Sequence, residues 1–396
     1  MVAYPGGWPV VLAGLAVLTV LEVLAGCSGA TRARQVAAPA AATASREAQP
    51  TEPAPGEGSA ETRISYYEER LAGNPNLYPL HTLLGRAYLD RARETHDPAW
   101  VIKARQAAQR SLDLQNNFDA MKLMMQVEKY SHRFESAISW ARRAAKASPG
   151  GSAATEPEIT AALVEAHLAL GQPDEARTLL PPAGAPVDRF YVAAAMAQVL
   201  AAQKRVDEAV KYYLRARELA LHDKSPSGVE GARWGRIMAG GVLLDNGRLA
   251  EARPHFEAAA REGWTPLLGI HQAEVHEAEG RLAEALAAYE KVLGQDPDPE
   301  VRRQAFRMAR KLGDEKRAQA HFTAAERALR APLALGEIYS LGALAQLYAD
   351  AETKLDEALE LARRNLEWKR DPEAHETLAE IEEKQARLQG RSGASR

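Results

Sequence analysis

Cysteine is all but missing from this chain: among 396 residues there is one, Cys27. A lone thiol excludes an intramolecular disulfide and any Cys-rich metal site, so its position carries more information than its number. Aromatic residues are scarce at 6%. β-branched residues are sparse beside Ala, Leu, Glu and Arg, which lose little rotamer freedom in a helix, so an all-α fold is expected. No basic excess exists either. Lys and Arg number 50 against 53 Asp and Glu, a formal net charge of -3, and a chain without a cationic surplus lacks the electrostatic footprint of a nucleic-acid binder. The usual catalytic signatures are wanting as well: there is no HExxH, no phosphate loop of the GxxxxGK type, no GxGxxG and no GxSxG elbow. His271 and His276 are five residues apart and fall on different helix faces, which does not suit a shared zinc ion. Glu274 and Glu277 read as solvated helix-surface carboxylates rather than an acid–base pair. The expectation is therefore no enzyme activity, no metal and no cofactor.

The long apolar run that does occur lies at the amino end. From Trp8 to Ala25 the chain is almost wholly apolar, and it closes on Leu24, Ala25, Gly26 and Cys27. Such a segment is processing material, to be set aside from the fold. The LAGC run resembles the bacterial lipobox. That resemblance implies removal of residues 1–26, a mature chain that begins at a lipidated Cys27, and secretion across the inner membrane. Two or more acyl chains on Cys27 would anchor stably, at about 0.8 kcal/mol per buried methylene. Ser28 resembles the outer-membrane sorting residue, so the expected location is the periplasmic side of the outer membrane. No Lys or Arg precedes Cys27 and Glu22 interrupts the run, which leaves an uncleaved membrane anchor as the alternative. Residues 27–60 are Ala, Pro, Thr, Gly and Glu with hardly a large apolar side chain. They cannot bury enough surface to offset ordering and are expected to form a tether spanning roughly 30 Å.

Beyond Ile64 one pattern recurs. GRLAEA occurs twice, at Gly247 and Gly280, with relatives GQPDEA at Gly171, KRVDEA at Lys204, GDEKRA at Gly313 and TKLDEA at Thr353. Their spacings are 33, 43, 33, 33 and 40 residues. In the clearest copy, Leu267 to Pro297, Ala273 and Ala285 are small where two helices cross, Gly280 turns the chain, Tyr289 fills the gap to the next unit and Pro297 stops the second helix. Gly240, Ala252, Phe256 and Ala259 hold these places in the unit before, and Gly313, Ala318, Phe322 and Ala325 in the unit after. Ala197, Ala209, Tyr213 and Ala216 do so further upstream. A turn residue, an Ala and an aromatic in fixed order, at a period close to about 34 residues, resemble the tetratricopeptide repeat family. The resemblance runs from about residue 66 to 385 and implies a right-handed α-solenoid of about eight helical hairpins, an elongated array with an open inner groove. Residues 61–155 read as divergent hairpins, with His132 where a turn glycine would stand, 156–300 as typical repeats, and 301–389 as closing repeats with a polar capping helix. Residues 390–396 read as a disordered tail.

In this family the groove is lined by the first helix of each hairpin. The corresponding places in the unit of Gly313 are Glu300, Arg303, Arg307, Arg310 and Lys311, of which Arg303, Arg307 and Arg310 follow i, i+4, i+7 and form one cationic stripe. Guanidinium forks suit the carboxylates of an acidic partner segment. Pairing of the stripe with Glu274 and Glu277 of the neighbouring unit is the plainer expectation. Upstream, Tyr191, Trp234, Ile237 and Leu244 form an apolar stretch, either a seat for a partner's helix or extended segment, or simply packing between hairpins. The function expected from all of this is a lipid-anchored adaptor for protein partners at the cell envelope. A regulatory subunit that positions a cell-wall or polysaccharide enzyme is the alternative.

Overall fold

A computed structural model of the chain describes residues 58–394 other than 149, 153–155, 183 and 224. Cys27, the LAGC run and nearly all of the expected tether lie outside the described residues. Those described contain eighteen helices and no strand. A single helix, α1 (Ala60–Gly73), precedes eight hairpins. The first four are α2 (Tyr78–Thr95) with α3 (Pro98–Leu114), α4 (Phe118–Tyr130) with α5 (Phe134–Ala147), α6 (Pro157–Ala169) with the short α7 (Pro173–Thr178), and α8 (Phe190–Ala202) with α9 (Val206–Leu221). The last four are α10 (Pro226–Asp245) with α11 (Leu249–Glu262), α12 (Pro266–Ala278) with α13 (Leu282–Leu293), α14 (Pro299–Lys311) with α15 (Glu315–Ala334), and α16 (Leu341–Ala351) with α17 (Leu355–Asn365). One closing helix, α18 (Pro372–Ala394), continues past Gly390, where the sequence suggests a loose tail.

Seven of the eight hairpins turn by the same device. The backbone N–H of the residue after the turn bonds back to a carbonyl five residues earlier, as in Gln172 to His167, Arg205 to Leu200, Arg248 to Leu243, Arg281 to His276 and Asp314 to Ala309. That closure needs one residue in the left-handed region, and glycine fills it at least cost. Gly280 takes it with φ 73°, and His132 takes it with φ 57° where the glycine is lacking. The small residues do what their spacing predicts: Ala273, Ala285, Ala252 and Ala209 are fully buried at helix crossings, beneath Tyr289, Phe256 and Tyr213. A methyl group at Gly240 would stand 2.7 Å from the Phe256 ring, so the close approach of α10 and α11 requires glycine there. Many helices start on a proline, as at Pro98, Pro226, Pro266 and Pro299, with Asp97, Ser225, Thr265 and Asp298 capping the free N–H groups.

Consecutive helices pack side by side from α1 to α18, and the first helices also touch one another: α2 with α4, α4 with α6, α6 with α8, α10 with α12, α14 with α16 and α16 with α18. The array therefore curves with its first helices inside. The curvature brings the chain back onto itself. His96 bonds Asp296 across 200 residues at 2.7 Å, and Arg133 donates to the Gly336 carbonyl across 203 at 3.0 Å. The Arg370 N–H donates to the Ala169 carbonyl at 2.7 Å over nearly the same separation. A constant offset at three successive hairpins means one superhelical turn in about six hairpins, with the second turn stacked on the edge of the first. Instead of the long open array that the repeats suggest, the solenoid closes a full turn. At Gly171 the approach is so tight that a Cβ would lie 2.5 Å from the Arg370 carbonyl oxygen.

Candidate functional site

The inner wall is built by the first helices, and its charges are laddered between neighbours. Lys122 and Lys129 of α4 reach Glu158 and Glu165 of α6 at 2.6 and 2.9 Å. Gln346 of α16 donates to Thr377 of α18 at 2.8 Å, and Lys384 of α18 donates back to the Ala349 carbonyl at 3.0 Å. Each pair consists of residues about one period apart, so every rung ties one hairpin to the next.

The cationic stripe belongs to this ladder. Arg303 is only 4% exposed and is held by Glu300 at 3.0 Å and by Asp350 of α16 at 2.6 Å. Burial opposes its charge, but the two carboxylates outweigh that and raise its pKa. Arg307 lies 3.5 Å from Glu277 and 3.8 Å from Asp350, and also bonds Gln304. Arg310 donates to the Asp350 backbone carbonyl, and Lys311 meets Glu277 at 2.7 Å. The expected partner Glu277 is thus present, whereas Glu274 is engaged elsewhere, and Asp350 supplies the larger share. Arg310 and Lys311 remain exposed.

Between the two ladders the wall is apolar. Trp234 is 1% exposed, set among Phe190 at 5.6 Å and Tyr213 at 5.8 Å between ring centres. Ile237 and Leu244 are buried with it. Tyr191 is half-buried against Phe190. Of the apolar stretch, Tyr191 alone keeps a share of its surface at the wall, and the others are packing between hairpins.

Beside this region sits a buried titratable group. His271 stacks on Phe256 at 5.3 Å and bonds Glu274 at 2.7 Å. Burial works against a charge on His271, but Glu274 and Asp245 outweigh it and raise its pKa. Asp245 is pushed up to about 7 by burial and then by the charge of Glu274. No group of three or more His, Cys, Asp or Glu is placed to hold a metal ion among the described residues.

The junction between turns gathers residues that the repeats do not mark. Arg105 donates to Glu337 at 2.6 and 3.3 Å, to Glu128 at 2.8 Å and to Ser131 at 2.7 Å. Tyr339 stands 5.5 Å from Tyr130 and 6.3 Å from His132, which stacks on Phe134. Burial, then the nearby Lys369 ammonium, pushes His132 down to about 3. One sequence signal does point here. The 40-residue spacing from Gly313 to Thr353 exceeds the period, and the surplus includes the loop 335–340 that makes this contact.

The tetratricopeptide repeat model matches residues 270–299, which run from within α12 through α13 to the first residue of α14. This segment is a tetratricopeptide repeat. The matched repeat coincides with the copy from Leu267 to Pro297, in which turn glycine, crossing alanines and packing tyrosine are all in place. No curated protein matches the sequence. Among solved structures, a Rap protein complexed with competence and sporulation factor is similar at 14% identity, over 81% of this chain and 94% of that one, with a TM-score of 0.50. A tetratricopeptide repeat protein from Parabacteroides merdae is similar at 12% identity, over 62% of this chain and 91% of that one, with a TM-score of 0.47. Likeness at this identity shows the fold alone: an all-α solenoid of tetratricopeptide-type hairpins.

Proposed function

We propose that this chain is a lipid-tethered scaffold that holds protein partners at the bacterial cell envelope, with Cys27 as the anchor and the inner wall as the docking face. The observation that carries the reading is the wall itself. First helices touch one another along the wall, and their side chains present paired charges with the half-buried Tyr191 between, a surface suited to an extended protein segment. A Rap protein of similar fold was crystallised with competence and sporulation factor, which agrees with a binding role for such a fold. Within the stripe, the exposed Arg310 and Lys311 with the partly exposed Arg307 are the groups that would meet a partner's acidic segment, whereas Arg303 holds the wall together.

Partner capture from cross-linked envelopes tests the docking face. Proteins enriched on the wild type are expected to be lost on an Arg307→Glu, Arg310→Glu chain, and an identical set on both would overturn that role. Mass spectrometry of the mature amino terminus tests the anchor. An amino-terminal Cys27 carrying thioether-linked diacylglycerol and an amide-linked acyl chain is expected, and an intact Met1 terminus would contradict it.

A further inference from the structure

The contacts between hairpins and those between turns differ in kind. Four apolar clusters follow one another along the chain, from Ile64 to Val127, Met121 to Leu170, Ala161 to Val275 and Ile270 to Ile381. None of them joins the first turn to the second. The loop between α15 and α16 crosses that gap as a ligand would. Leu335 is 51% exposed, yet Glu337 two residues on is only 3% exposed. The Gly336 carbonyl accepts from Arg133 at 3.0 Å. The Glu337 carboxylate takes both Nη atoms of Arg105 and lies 3.9 Å from Arg133. Tyr339 enters between Tyr130 and His132. A backbone carbonyl, an acid and an aromatic ring in four consecutive residues are read by a prepared receptor, because Arg105 is already oriented by Glu128 and Ser131.

We propose that the Arg105, Tyr130, His132 and Arg133 surface is a recognition site for a protein segment of the form Gly-Glu-x-Tyr, and that the chain's own Gly336–Tyr339 fills it as an internal ligand. A buried carboxylate met by a fixed guanidinium fork is a specific contact, and one carried by a connecting loop in which Leu335 and Gly336 are exposed and only the partly buried Ile338 packs against a core cluster is displaceable. A partner carrying an acid followed two residues later by an aromatic takes the loop's place and frees the second turn from the first. The site is distinct from the cationic stripe. It rests on the scaffold reading only for the existence of a partner, and purified components suffice to test it, so its failure leaves that reading standing.

The experiment is fluorescence polarisation of a labelled synthetic peptide of residues 333–342 titrated with the purified full-length chain. In wild type the tethered loop occupies the site, and a site free one-tenth of the time binds about tenfold more weakly. A chain with Glu337→Arg and Tyr339→Ala, its helical circular dichroism intact, is expected to bind the peptide at least about tenfold more tightly than wild type. Adding Arg105→Ala to that chain is expected to abolish binding. If the double variant loses helicity, Glu337→Gln alone replaces it and the same order of affinities is required. No saturable binding by the vacated chain, equal binding by vacated and wild-type chains, or binding that survives Arg105→Ala would each overturn the proposal.

Discussion

The seam between α10 and α11 and the seam between the first and second superhelical turns lie in one molecule and are built on opposite principles. In the first, Phe256 lies against Gly240 with Ala252 and Ala259 fully buried, an apolar centre with the Arg236–Glu262 pair at its edge, and Tyr289 with Ala273 and Ala285 repeats that centre in the next hairpin. In the second, an imidazole meets a carboxylate, a guanidinium meets a carboxylate, and backbone carbonyls accept from Arg133 and from the Arg370 amide. The apolar seam gains from excluding water and has no good alternative partner. Water can take over the hydrogen bonds and ion pairs of the second seam, which leaves Tyr339 between Tyr130 and His132 as its apolar contact, so the hairpin stack is the permanent part of the fold and the closure of the turn is the adjustable part.

If that division holds, Trp234→Ala should do most damage. It empties a site closed in by Phe190 and Tyr213, and a loss of about 3–5 kcal/mol is expected in urea unfolding. Glu337→Arg should cost far less, no more than about 1–2 kcal/mol, since the loop can carry its new charge into water and need not bury it. Its signature is local: hydrogen exchange is expected to accelerate at 336–340 and 131–133 while the hairpin cores stay protected. Loss of protection throughout would show that the turns are not separable from the stack.

Acid should act on the polar seam next. His132 is held near 3 in the fold against 6.5 when free, so the folded state binds fewer protons. Its contribution is intact above about pH 6.5 and declines as pH falls toward 3. His96 is raised by its bond to Asp296 and opposes this, its share being present below 6.5 and lost as pH rises, but its shift is the lesser one. In melting curves from pH 7 to 4 the wild type should therefore lose stability relative to His132→Phe, which keeps the ring stacked on Phe134 and has no proton to bind. Asp245 has the reverse sign. With a folded pKa of about 7 against 3.8, it favours the fold most when protonated, and that share is lost as pH rises through 7. Asp245→Asn should consequently be more stable than wild type at pH 8. The smallest effect belongs to exposed rungs such as Arg248 with Asp207 and Glu251. Arg248→Ala should leave the melting temperature almost unchanged, an effect that salt reduces further.

The permanent part was legible in the sequence because it repeats. Spacing alone assigns Gly280, Ala273, Ala285 and Tyr289, and it marks even His132 as the turn residue that its left-handed backbone makes it. Contacts one period apart were half-legible. The stripe of Arg303, Arg307 and Arg310 was found, but its main partner Asp350 lies on the next first helix, beyond an over-long loop that hides the register. Trp234 was equally ambiguous, since a first-helix aromatic can face the groove or the next hairpin, and only the positions of Phe190 and Tyr213 decide. The polar seam was not legible. Its pairs lie some 200 residues apart, occur once each and follow the pitch of the superhelix, which no local pattern encodes.

Closure of the turn is tested most directly by chemical cross-linking. In a chain whose Cys27 is replaced by serine, His96→Cys and Asp296→Cys place two thiols on facing edges of the first and second turns. A short thiol-to-thiol reagent, read by mass spectrometry of the digested monomer, should join positions 96 and 296 within one molecule in high yield. A chain that yields no such link, or yields it only between two molecules, would contradict the closed superhelical turn.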